Sequence, residues 1–211
     1  MAEAASVTTF VMGARLPWPD DAPVLAEQGP FEAGVVHDGG ARQECSIRRI
    51  SALGATLCGK LGKATGDEIA VELATGHRHA ATIEWAEGGE TGVRFRQQVD
   101  VLALINRNLV SQTAERRAMP RVEIRCSGFV KKGEDFLPVI LRNISAGGLQ
   151  VEGEGLPVQG TFVSIFIDGI IVPPGEIAWR KGKLAGIELL EELSWSSIMP
   201  WIREQVRAGT A

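Results

Sequence analysis

Tyrosine is absent from the 211 residues, and aromatic residues together make up 6%. Surfaces that bind single-stranded nucleic acid stack bases on exposed rings, and the net charge of −4 does not suit a scaffold that neutralises many phosphates. No DNA or RNA partner is expected. Cysteine is scarce as well. Cys45, Cys58 and Cys126 lie far apart without a CxxC pair, so neither a zinc site nor a disulfide framework is implied. Reduced thiols in a cytoplasmic protein are expected. His77 and His79 have no third ligand near them, and no metal is expected. The opening MAEAASVTTFVMG lacks the basic start of a signal peptide. The longest apolar run, Phe162 to Pro174, is broken by Asp168-Gly169; it is too short to span a bilayer and predicts a hairpin. A cytoplasmic location without membrane insertion follows as the expectation. There is no nucleophile elbow, Walker loop or HExxH motif. Asp20-Asp21 falls in a Pro-rich turn, and Glu191-Glu192 falls on a solvated stretch before a helix. No catalytic set is assembled, and neither an enzyme nor a cofactor is expected.

Hydrophobic residues at 45% and charged residues at 23% are enough for a packed globular core. The chain also repeats itself. IRRISALGATL at 47–57 matches LRNISAGGLQV at 141–151 with an offset of 94 (142 − 48), which lays Arg48 on Arg142, Ile50 on Ile144, Ser51 on Ser145 and Gly54 on Gly148. The same offset lays Trp85 on Trp179 and Gly92 on Gly186. A constant offset across separated stretches marks two copies of one domain, with boundaries at 1–113 and 114–211.

Within each copy, short runs rich in Val, Ile and Phe alternate with glycine-bearing turns, the pattern of antiparallel strands. In the second copy the strands are expected at 121–131, 136–143, 149–152, 161–167, 170–180 and 184–189. About six short strands suit a small closed barrel, which leaves no sticky edge. A helix should follow each barrel. One spans 100–110 with Asp100 as N-cap; the other spans about 194–207 and carries Pro200, which should start or kink it. The fold class is therefore all-β with terminal helices: two tandem six-stranded antiparallel barrels, each followed by an α-helix.

Two clusters bear chemistry. Glu115-Arg116-Arg117-Ala118-Met119-Pro120-Arg121 holds three arginines, and Pro120 keeps the backbone extended. Guanidinium groups fork onto phosphate, pair with guanine O6 and N7, and stack on flat rings. Asn143-Ile144-Ser145-Ala146-Gly147-Gly148 puts an amide and a hydroxyl on one strand face before a glycine turn, in which Gly147 and Gly148 are expected to permit positive φ. Taken singly, each reads first as an ordinary basic linker or hairpin turn. Together they match RxxxR (Arg117 to Arg121) followed by [D/N]xSxxG (Asn143 to Gly148), and they open a barrel-like sequence. Over residues 115–207 the chain resembles the PilZ family, whose domains are six-stranded β-barrels that bind cyclic di-GMP. Gly186-Ile187-Glu188-Leu189 is similar to the family's closing strand, with Leu189 where the family has Phe.

The resemblance implies roles. Arg117 and Arg121 would hold the phosphates and engage guanine, and Asn143 and Ser145 would contact the base against the barrel. Gly148 would shape the turn, and Arg116 would favour a stacked ligand dimer. An arm ordered by ligand would then switch geometry and contact with an unidentified protein target. The first copy departs from this pattern. Arg49 replaces the Asn, Pro23 and Glu27 stand at the Arg117 and Arg121 positions, and residues 1–114 hold 10 Lys/Arg against 14 Asp/Glu. It should not bind the ligand. The alternative function is a PilZ-fold interaction adaptor that binds no nucleotide.

Overall fold

Side chains that alternate between core and solvent over short runs, punctuated by glycine turns, leave the backbone few choices besides strands. The computed structural model describes residues 8–18, 31–59, 61–111 and 120–209. The chain divides into two compact units, Met1–Arg121 and Val122–Ala211.

In the first unit the strands are β1 (Thr9–Val11), β2 (Glu32–Asp38), β3 (Ala41–Ser51), β4 (Gly54–Cys58), β5 (Glu68–Glu72), β6 (Arg78–Glu87) and β7 (Glu90–Phe95). Antiparallel pairing runs β3–β2–β5–β6–β7–β4 and returns from β4 to β3, closing a ring of six. Inside it lie fully buried Ile47, Ile50, Leu57, Val71 and Val93. β1 is an addition. It runs parallel to the end of β3, with Thr9 opposite Arg49 and Val11 opposite Ser51. Helix α1 (Val101–Ser111) follows. The Asp100 carboxylate accepts from the Ala103 N–H at 3.0 Å, the expected N-cap.

In the second unit the strands are β8 (Arg121–Lys132, its first residue lying at the boundary), β9 (Asp135–Ser145), β10 (Gly148–Gly153), β11 (Phe162–Ile167), β12 (Gly175–Lys181) and β13 (Leu184–Leu189). They pair β8–β9–β10–β13–β12–β11 and back to β8, a closed six-stranded antiparallel barrel. Helix α2 (Trp195–Arg207) packs Ile198, Met199, Trp201 and Ile202 inward. The Trp201 indole N–H donates to the Asp168 carbonyl at 2.9 Å. Ser194 caps α2, which begins ahead of Pro200 and continues past it, so Pro200 does not start the helix.

The offset of 94 holds in the irregularities too. Arg48 and Arg142 are each the extra residue of a bulge, in β3 against β4 and in β9 against β10. Glu84 and Ala178 are the extra residues in β6 against β7 and in β12 against β13. One expectation fails. The strand foreseen from residue 170 begins at Gly175, and the Asp168-Gly169 turn closes only a single bridge, Ile167 to Ile170. Pro173 and Pro174 have no N–H to give to a ladder. Among the described residues no helix is long and apolar enough to cross a membrane.

Candidate functional site

β9 ends at a two-residue hairpin, Ala146-Gly147, with Ser145 paired to Gly148. Ile144 points into the core at 0% exposure, so its neighbours Asn143 and Ser145 both project outward. The Asn143 amide donates to the Gln150 side-chain oxygen directly across on β10. That bond uses one of the two amide N–H groups; the amide also carries a carbonyl and a second N–H. The Ser145 hydroxyl donates to the Gly148 carbonyl at 3.2 Å.

Gly148 is not the turn residue expected of it. Neither it nor Gly147 has a positive φ. A Cβ on Gly148 would stand 2.7 Å from the Ile187 carbonyl oxygen of β13. The glycine is required because two backbones approach closely there.

On the other flank of β9, Val122 and Glu123 of β8 lie opposite Ile144 and Asn143. Arg121, partly exposed, opens β8 two residues before Glu123 and on the same strand face. Asn143, Ser145, Gly148 and the start of β8 thus occupy one end of the β9 hairpin. Arg116 and Arg117 lie outside the described residues, as do Pro23 and Glu27. Cys126, just beyond the β8 irregularity, is held inert by burial, which pushes its thiol up to about 11. Among the described residues no three His, Cys, Asp or Glu side chains group as metal ligands would.

Two neighbours were not singled out from sequence. Gln150 lies opposite Gly186 of β13, and Gly186 lies opposite Trp179 of β12. A Cβ on Gly186 would meet the Trp179 indole nitrogen at 2.1 Å, so the ring lies over the glycine. Glu123, Asn143, Gln150 and the Trp179 indole therefore form a row across the outside of the barrel. The repeated Trp and Gly of the two copies carried that signal.

The first unit shows the same row covered. Thr9 and Phe10 of β1 stand opposite Arg49 and Ile50, the places that Glu123 and Val122 take opposite Asn143 and Ile144. The offset put Glu27 at the Arg121 position; the strand beside this part of β3 is instead β1. Thr56, counterpart of Gln150, is 1% exposed and its hydroxyl donates to the Pro17 carbonyl at 2.9 Å. Trp85, counterpart of Trp179, meets Trp18 edge to face with centroids 5.8 Å apart. Ser51, counterpart of Ser145, is 0% exposed and accepts from the Leu53 N–H at 3.1 Å. Residues 8–18 thus lie over this face of the first barrel; in the second unit Asn143, Gln150 and Trp179 are partly exposed and Glu123 is buried.

Residues 115–197 match the family model described as PilZ domain. No curated protein matches the chain. Among solved structures, the chain is similar to PlzA of Borreliella burgdorferi in complex with c-di-GMP, at 11% identity and TM-score 0.32, covering 86% of this chain and 88% of that one. It is similar to the inhibitor of motility MotI/DgrA of Bacillus subtilis at 14% identity and TM-score 0.30, covering 83% and 97%. It is also similar to YcgR of Escherichia coli in complex with c-di-GMP at 12% identity and TM-score 0.27, covering 84% and 83%. The likeness is distant, and the family match rather than these neighbours identifies the second barrel. Residues 115–197 of this chain are a PilZ domain.

Proposed function

We propose that the chain is a receptor for cyclic di-GMP. The ligand is held by the arm of Arg116, Arg117 and Arg121 and by Asn143 and Ser145, with Gly148 keeping the hairpin close to β13. Binding changes the geometry between the two domains, 1–113 and 114–211, and so regulates a protein target. In bacteria such outputs concern motility, exopolysaccharide or biofilm. The observation that supports this most is the outward pairing of Asn143 and Ser145 on β9, beside the β8 start where Arg121 stands. An amide offers both donor and acceptor to a base edge, and a guanidinium answers a phosphate or the Hoogsteen edge of guanine. The Trp179 indole at the end of the row adds a flat apolar surface. Equilibrium dialysis against a nucleotide panel tests the reading. Cyclic di-GMP should be retained, while GMP, GTP and cyclic di-AMP should not compete; retention of none of them, or of all equally, contradicts it.

A further inference from the structure

The PilZ barrel carries a second outward face that the nucleotide reading does not use. On β8, β9 and β11 the side chains of Phe129, Phe136, Phe162 and Phe166 are 48%, 53%, 63% and 48% exposed. They are contiguous: Phe129 lies opposite both Phe166 and Pro138, and the Phe136 and Phe166 rings are 5.7 Å apart. Lys131 sits among them, its ammonium 5.0 Å from the Phe136 centroid. A shallow groove lined by Lys131, Phe162, Ser164, Pro174 and Leu190 extends the face at one end.

The fold does not demand this. At the offset of 94, Phe136, Phe162 and Phe166 correspond to Arg42, Glu68 and Glu72, and Phe129 to Val35. In the first barrel that face is polar: Glu72 meets His37 at 2.8 Å and Arg78 at 3.0 Å, and Glu68 pairs with Arg96. The same strand layout carries ions at three of the four positions, so the contiguous set of half-exposed rings is a property of the second copy. Apolar patches of this kind mark interaction sites.

We propose that this face docks a short amphipathic segment of another protein, one that brings an apolar stripe for the phenylalanines and a carboxylate for Lys131. Two features select this occupant. Four rings about half exposed offer roughly 400 Å², about half of what one partner contributes to a stable interface, so a second copy of the chain is too demanding a fit. A single helix about 10 Å across spans the three strands, which lie about 4.8 Å apart. Among the described residues Lys131 has no ion pair, and its ammonium stands against the Phe136 ring, whereas Glu176 lies opposite Phe162 on β12. Glu134 and Asp135 follow Lys131-Lys132 in the same turn, so the basic cluster that an anionic bilayer needs is missing.

The test selects a random peptide library on the purified full chain, with Phe166→Asp as counter-target and circular dichroism confirming both folds. The expected consensus has apolar residues spaced three and four apart with an Asp or Glu among them. Its affinity should fall about tenfold or more on Phe166→Asp, and Lys131→Glu should shift selection toward basic peptides. Absence of any enriched consensus overturns the proposal, as do binders indifferent to both substitutions. So do self-association lost in Phe166→Asp, the mark of a second copy, and Phe166-dependent binding to phosphatidylglycerol vesicles, the mark of a bilayer. The inference stands independently of cyclic di-GMP, which need not be present.

Discussion

A methyl group added at Gly186 would stand 2.1 Å from the Trp179 indole nitrogen, and one at Gly92 would stand 2.0 Å from that of Trp85. Two further ring atoms lie within 3 Å in each case, so a small rotation of the rigid indole does not clear the clash. Gly186→Ala and Gly92→Ala should each destabilise by about 1–3 kcal/mol, read as a lower urea midpoint. The same kind of crowding explains Gly148. Sequence reasoning took it for a turn glycine because two adjacent glycines after Ser-Ala suggest positive φ. The actual constraint comes from β13, about 40 residues away in sequence, which no local pattern reveals. Asn143 and Ser145 were legible because strand alternation puts them on one face, whereas Gln150 and Trp179 needed the registers of β10, β12 and β13. Titration gives a further prediction. Burial pushes Glu32 up from its ordinary value of 4.5 to about 7, against the pull of Arg107. The folded state therefore binds the proton more tightly than the unfolded state, so this group's contribution is full below pH 4.5 and is lost as pH rises through about 7. Urea midpoints of wild type should fall over that window relative to Glu32→Gln; parallel pH profiles contradict the assignment.

The elements were the most legible level. Short apolar runs between glycine turns specify strands wherever one face is buried, and the offset of 94 carried the second barrel's strands onto the first down to the bulges at Arg48 and Arg142. Sequence reasoning missed Ile170 to Pro174, whose apolar character suggests a strand while its two prolines withhold the hydrogen bonds. It also missed β1, three residues long and parallel to β3. That short strand and the segment to Trp18 cover, in the first copy, the row that carries Asn143 and Trp179 in the second. Phe10 and Val11 are 0% and 1% exposed, the Thr8 hydroxyl donates to the Ile47 carbonyl at 2.6 Å, and Pro17 and Trp18 cover Thr56 and Trp85. Loss of Arg and Asn is thus not the sole difference between the first barrel and a ligand site, since its own chain already occupies the face. Trp18→Ala should shift tryptophan emission to the red, lower the unfolding free energy by about 1 kcal/mol, and leave affinity for cyclic di-GMP unchanged. A drop in that affinity would mean that the first barrel's face takes part in binding.

At the scale of the whole molecule the two barrels differ: residues 8–18 cover the outer row of the first, while the corresponding row of the second holds partly exposed Asn143, Gln150 and Trp179, the face proposed to take the nucleotide. Isothermal calorimetry of the full chain with cyclic di-GMP tests this most directly. Saturable heat at micromolar protein is predicted for wild type. Arg121→Ala and Asn143→Ala should each weaken binding, the arginine by about 1.5–3 kcal/mol or roughly 10- to 100-fold, and Arg49→Ala should leave the isotherm unchanged. If wild type gives no heat, or if the Arg121 and Asn143 variants titrate as wild type does, then the outer face of the second barrel does not bind the nucleotide and the receptor reading is wrong.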